Sequence, residues 1–196
     1  EETRTLCAKF LNCKEREVVF TKGASNGLNL VAQSYGMDNL SEGDEVISSE
    51  LEHHSCVLPW QNVCNIKGAT LKYVELDSEG RITVEAFKKV LSNKTKVVVL
   101  THLYGVPAKL DEILAICNKH GATLIEDAAE SLGATYKGKQ TGTFGKYNVT
   151  SFNGNKIITT SGGGMFLTDD KDAAEKIRKW STQSREPFPY YQHQEL

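Results

Sequence analysis

Short apolar runs recur along this chain, and stretches of helical periodicity lie between them. The runs cover residues 18–21, 45–49, 71–76, 96–100, 123–125, 149–152 and 163–167. The helical stretches cover 26–35, 56–66, 83–91, 110–120 and 172–182. Several of the runs are apolar throughout rather than alternating, so both faces of their sheet must be covered. Strand and helix in strict alternation then predict an α/β fold with three α/β/α layers and a mainly parallel sheet. In the first helix Leu28, Leu30, Val31 and Ala32 form the inner stripe, and Gly36 is read as its stop. An opening amphipathic segment puts Leu6, Phe10 and Leu11 on one face.

In sheets of this kind ligands bind beyond the carboxyl ends of the strands. Gly23, His53, His102 and Asp127 all fall at or just past such an end. Lys22-Gly23-Ala24-Ser25 leads from the first strand into a helix N-terminus, whose free N–H groups and dipole favour a phosphate. No Gly-Lys-Ser/Thr follows, so this is not a nucleotide P-loop, and small residues also serve any strand-to-helix turn. Lys156 sits between the strand ending at Phe152 and the β-branched run Ile157-Ile158-Thr159-Thr160. There it is either a lysine snorkelling to water or a partly desolvated amine able to form a Schiff base. Leu124-Ile125-Glu126-Asp127 reads as a buried strand ending in a carboxylate, a group suited to hold a protonated pyridine nitrogen. Lysine and carboxylate together point to pyridoxal phosphate.

At 196 residues the chain can bury a core without staples. A net charge of −2 offers nothing to nucleic acid or an anionic membrane. No apolar run reaches membrane-spanning length and the first residues carry no signal-peptide pattern, so a cytoplasmic protein is expected. Cys7, Cys13, Cys56, Cys64 and Cys117 are scattered with no CxxC pair, as reduced thiols would be. His53-His54-Ser55-Cys56 has no second ligand cluster to support a metal, so none is expected. Residues 1–196 are read as one cofactor-binding domain, cut at both ends. No N-cap precedes the opening helix, and Pro187-Phe188-Pro189-Tyr190-Tyr191 runs on to Leu196 without a closing element.

Two resemblances follow from longer stretches. From about residue 4 to 100 the chain resembles cysteine desulfurases of the class V aminotransferase group. That likeness rests on Val19-Phe20-Thr21-Lys22-Gly23, Asn29-Leu30-Val31-Ala32-Gln33-Ser34-Tyr35-Gly36, Glu52-His53-His54-Ser55 and Pro59-Trp60-Gln61. From about 101 to 196 it resembles the DegT-type nucleotide-sugar aminotransferases. There the matches are His102-Leu103-Tyr104-Gly105, Ile125-Glu126-Asp127-Ala128-Ala129-Glu130-Ser131-Leu132-Gly133, Gly142-Thr143-Phe144-Gly145 and the stretch 151–165. Both groups share the aspartate-aminotransferase (type I) fold and bind pyridoxal phosphate. The resemblance therefore implies the large domain of that fold, as a hybrid of two families joined near residues 92–101.

Residue by residue, the resemblance makes Lys156 the lysine that holds the cofactor and Asp127 the partner of the ring nitrogen. Ser151 matches a phosphate ligand, and Gly23, Ala24 and Ser25 complete the phosphate cradle, with Asn26 in place of a usual glutamate. His53 matches an imidazole stacked on the ring, and Ala129 packs its other face. Glu130 stands where a glutamine is common near the phenolic oxygen, and a carboxylate there would repel a phenolate. His102 matches both families and equally suits a packed strand end. The implied function is transfer of an amino group from an amino acid, glutamate foremost, to a nucleotide-linked keto-sugar, in a homodimer when full length. The alternatives are a desulfurase-like enzyme, whose nucleophilic cysteine has no match here, and a piece that binds the cofactor without turnover.

Overall fold

A computed structural model describes residues 2–189 and 192–193. Tyr190, Tyr191 and positions 194–196 of the closing stretch lie outside the described residues. In chain order the strands are β1 (Val18–Thr21), β2 (Glu45–Ser49), β3 (Thr70–Val74), β4 (Thr95–Thr101) and β5 (Thr123–Asp127). A small hairpin follows, β6 (Thr135–Tyr136) with β7 (Lys139–Gln140), and then β8 (Tyr147–Ser151) and β9 (Gly164–Leu167). The helices are α1 (Glu2–Leu11), α2 (Ala24–Val31), α3 (Met37–Asn39), α4 (His54–Lys67), α5 (Val84–Val90), α6 (Leu110–His120) and α7 (Lys171–Ser181).

Seven strands form one sheet in the order β1-β9-β8-β5-β4-β2-β3. The five from β8 to β3 are parallel, and β9 runs antiparallel to both β8 and β1. Alternation along each strand divides the core in two. Val46, Val97, Val99, Ile125, Val149 and Phe166 face Leu28 of α2, Trp60 and Val63 of α4 and Ile177 of α7. Ile47, Val98 and Leu124 face the opposite layer, built from Phe87, Leu110 and Cys117. On that same side α1 packs Ala8 and Leu11 over Val18, Met165 and Leu167. The result is the expected three-layer α/β/α arrangement.

The sheet order brings remote sequence together. β1 lies at one edge and β2 beside the other, so the connection through α2 and α3 crosses a sheet face. Gly23 at the head of α2 therefore comes to rest beside Gly164, where an added Cβ would stand 2.8 Å from the Gly23 carbonyl carbon. The segment where the two resemblances meet forms β4 in mid-sheet, paired with β2 through Val97 and with β5 from Val97 to Thr101.

Two expectations need correction. Gly36 does not stop the helix: α2 runs on through a π turn, Ala32–Gly36, into α3. Gly36 is helical, and an added Cβ would lie 2.9 Å from the Trp60 ring and 3.1 Å from Val63. It is glycine because α4 packs that closely, not because the chain turns there. On α1, Leu6 (60%) and Phe10 (54%) are exposed, and the packed face is Ala8 and Leu11. The β-branched run 157–160 is a loop, with Ile157 and Ile158 exposed, folded back by the Thr160 N–H to Phe152 O bond (3.1 Å).

Candidate functional site

The nine expected site residues line one cavity of about 790 Å³ beyond the carboxyl ends of the parallel strands. A larger hollow of about 1080 Å³ opens at the opposite ends of the strands, but none of the nine reaches it.

Asp127 is the last residue of β5 and is 2% exposed. Its Oδ1 accepts the Ala129 N–H at 3.0 Å. Burial raises its pKa above the ordinary aspartate value, with the Ala129 N–H, His53 and Lys156 acting the other way. A carboxylate so placed gains most from a protonated partner inside the cavity.

Lys156 reaches the cavity from the loop after β8, its side chain 17% exposed. Its Nζ lies 3.2 Å from Glu130 Oε1, and Glu130 Oε2 accepts the Tyr104 N–H at 2.9 Å. That backbone bond, ahead of the pairing with Lys156, holds the Glu130 carboxyl below the ordinary glutamate value despite partial burial. Glu130 thus stays charged beside the lysine.

Opposite them, α2 opens at Gly23 with no side-chain cap, and a Cβ added at Gly23 would meet nothing within 4 Å. The first N–H groups of a helix have no partners within it, so this end faces the cavity as a donor cluster with a positive dipole. Ser151, at the end of β8, adds its hydroxyl from the neighbouring strand end.

His53 caps α4: its Nδ1 accepts the Ser55 N–H at 3.2 Å and lies 2.7 Å from Ser55 Oγ. The His54 ring stands 4.1 Å from the His53 ring, and Cys56 turns into the core. Among the described residues no three His, Cys, Asp or Glu side chains gather as a metal site.

His102 belongs to the packing and not to the cavity. It is fully buried, with Nε2 2.8 Å from Glu126 Oε1 and Nδ1 accepting the Ala108 N–H at 3.2 Å. Reading the sequence also passed over Glu52, which precedes His53. Its carboxylate takes the Thr101 N–H (3.2 Å), the Thr101 hydroxyl and the Ser49 hydroxyl (3.0 Å), fixing the end of β4 on the cavity wall. Burial raises its pKa against those bonds. An acidic residue next to a strand-end histidine was the available signal.

Residues 4–196 match the model of the DegT/DnrJ/EryC1/StrS aminotransferase family. The chain belongs to that family. With membership comes pyridoxal phosphate as cofactor. EpsN of Bacillus subtilis, classed by inference as a pyridoxal phosphate-dependent aminotransferase, is 57% identical over 101 residues, 52% of this chain and 26% of that protein. A Halalkalibacterium halodurans protein, classed by inference as a cysteine desulfurase, is 40% identical over 135 residues, 67% of this chain and 33% of its own. Those two matches together exceed the length of the chain, so they overlap. In three dimensions the chain is similar to Helicobacter pylori PseC, an aminotransferase of pseudoaminic acid biosynthesis. The TM-score is 0.85 at 21% identity, over 98% of this chain and 51% of that one. The family member described here thus spans about a quarter to a half of these relatives. None of its helices, among the described residues, is long and apolar enough to cross a membrane.

Proposed function

We propose that this chain is the cofactor-bearing part of an aminotransferase that moves an amino group from an amino acid, glutamate foremost, to a nucleotide-linked keto-sugar. One observation carries the reading. A lysine amine, a buried carboxylate and the uncapped N-terminus of a helix face a single cavity from three separate elements. These groups fit pyridoxal phosphate. The α2 N-terminus (Gly23, Ala24, Ser25) and Ser151 would hold the phosphate, and Asp127 the ring nitrogen. His53 and Ala129 would flank the ring, Glu130 would stand near its phenolic oxygen, and Lys156 would hold it covalently.

Bound there, the cofactor supplies an electron sink for charge that develops at the donor's Cα. Asp127 keeps the ring nitrogen protonated, since a buried carboxylate favours a nearby cation over isolation. Lys156 would carry the proton taken from the donor's Cα. Gly23 to Ser25 and Ser151 restrain the phosphate end, so proton movement is confined to one geometry.

The keto-sugar acceptor rests on the half that contains Lys156, and a homodimer of the full-length protein belongs to the same proposal. A desulfurase reading draws on the Halalkalibacterium relative, yet none of the five cysteines lines the cavity. Cys56, the thiol on the helix behind His53, is fully buried, and burial pushes its pKa well above the ordinary value.

Borohydride treatment of the chain with pyridoxal phosphate, followed by peptide mapping, should fix the pyridoxyl group on Lys156. A label on Lys22, the other lysine lining the cavity, would overturn the assignment. Glutamate with a UDP-4-keto sugar, set against cysteine alone, separates transamination from desulfuration.

A further inference from the structure

We propose that Glu130 acts as an electrostatic brake on Lys156, holding its amine as an ammonium ion and so slowing its capture of an aldehyde. The proposal rests on the reading of Lys156 as the cofactor lysine and concerns how that lysine is governed.

Condensation begins when the nitrogen lone pair attacks a carbonyl carbon. The amine sheds two protons, the carbonyl oxygen leaves as water and a C=N bond remains. An ammonium ion has no lone pair to offer and must first lose a further proton to solvent. Whatever favours the ammonium form therefore slows capture.

Glu130 is built to do this. Its Oε1 stands 3.2 Å from Lys156 Nζ, and the two side chains are only 28% and 17% exposed, so water screens the pair less than at the surface. It cannot easily swing away. Oε2 is bound by the Tyr104 N–H at 2.9 Å, which ties the carboxylate to the turn after β4. The other ionisable groups lining the cavity are Lys22, Glu50, His53, Tyr104 and Asp127. Among the described residues Glu130 is the acidic side chain within ion-pair distance of Lys156. At Asp127 a backbone N–H and the Lys156 charge act in the same sense, but burial outweighs them and opposes the charge.

Glu130→Gln separates charge from shape. The amide oxygen can still accept the Tyr104 N–H while the NH₂ group faces Lys156, so the loop tie survives and the ion pair does not. The experiment uses the 196-residue chain and two aldehydes. Formaldehyde with cyanoborohydride reports on Lys156 through peptide mass, with Lys22 as internal standard. Pyridoxal phosphate reports through growth of its lysine-linked visible band.

At neutral pH we expect Lys156 to be modified about tenfold faster in Glu130→Gln, which lacks the charge 3.2 Å from its amine. The gap should close at high pH, where both chains carry the neutral amine. Equal rates at neutral pH, or one constant ratio at every pH, would overturn the proposal; a constant ratio would mean that only access had changed. Should Glu130→Gln fail to fold by circular dichroism, Glu130→Met removes the charge at similar length and faces the same criteria. Failure of the underlying reading looks different: formaldehyde still separates the two chains, but pyridoxal phosphate attaches to Lys156 in neither. That result removes the proposal at its base.

Discussion

His102 Nε2 donates to Glu126 Oε1 across 2.8 Å, and neither side chain is exposed to water. The Ala108 N–H occupies Nδ1, so the network assigns a neutral ring with its proton on Nε2. Glu126 also accepts the N–H groups of Gly142 (2.9 Å), Phe144 (2.6 Å) and Gly145 (2.5 Å). One buried carboxylate thereby pins the loop before β8 to the end of β5, directly beside Asp127. Glu126→Gln would turn an NH₂ group against donors that have no other acceptor. We expect a loss of about 3 kcal/mol, the cost of breaking a buried charged network. Urea unfolding followed by circular dichroism checks this; a loss below about 1 kcal/mol would show the loop to be held by other contacts.

Gly36→Ala sets two effects against each other. Alanine improves helix propensity by about 1 kcal/mol. The new methyl group, however, would meet Trp60 and Val63 at 2.9 and 3.1 Å, and both are 1% exposed. Overpacking of this kind costs about 1–3 kcal/mol, so the variant should melt at a lower temperature. An unchanged or higher melting temperature would show that Trp60 can yield.

Neither Glu126 nor Gly36 was readable from the sequence, whereas the sheet and the strand ends were. The sheet was legible because burial on both faces writes long apolar runs, and 45–49 and 110–120 matched to the residue. The strand-end residues were legible because parallel sheets gather such ends at one place. Gly36 was misread because what it packs against is remote in sequence. A glycine beside a remote tryptophan looks like a stop until the neighbours are known. Leu6 and Phe10 show the same limit, since periodicity identifies a face but not what covers it. Glu126 and Glu52 escaped notice because a lone acidic residue gives no sign of how many N–H groups it will collect.

Asp127→Asn should trade function for stability. Burial raises the folded-state pKa of Asp127 above that of the unfolded chain, so the folded chain binds this proton more tightly. The group therefore favours folding fully below its unfolded value, about pH 4, and that contribution is lost as pH climbs through the raised folded value. Asparagine imitates the neutral form and can keep the Ala129 N–H bond, so the variant should melt higher than the parent at pH 7–8. The advantage should fade in acid. With the phosphate and lysine contacts intact the cofactor should still bind, while in the full-length protein the half-reaction with glutamate collapses because no carboxylate steadies the ring nitrogen. A parental half-reaction rate would remove Asp127 from that role.

The 196-residue chain by itself should take up pyridoxal phosphate and yet turn over little or no substrate. Lysine, carboxylate and helix N-terminus lie within residues 23 to 156, and three attachment points suffice for a visible lysine-linked band. Among the described residues, though, no arginine lines the cavity, so nothing planar and cationic awaits the carboxylate of an amino donor. A donor left unoriented forfeits about 7–11 kcal/mol that positioning can take from the barrier. Apolar side chains also stand open: Tyr104 (84%), Val106 and Ile157 (68% each) and Ile66 (60%), which invites self-association. Light scattering, an absorption spectrum and a turnover assay on one sample check all three expectations. Robust transamination by the monomeric chain would show that the cavity already holds everything the reaction needs. A folded chain with no visible band would leave the lysine and its carboxylate as packing alone.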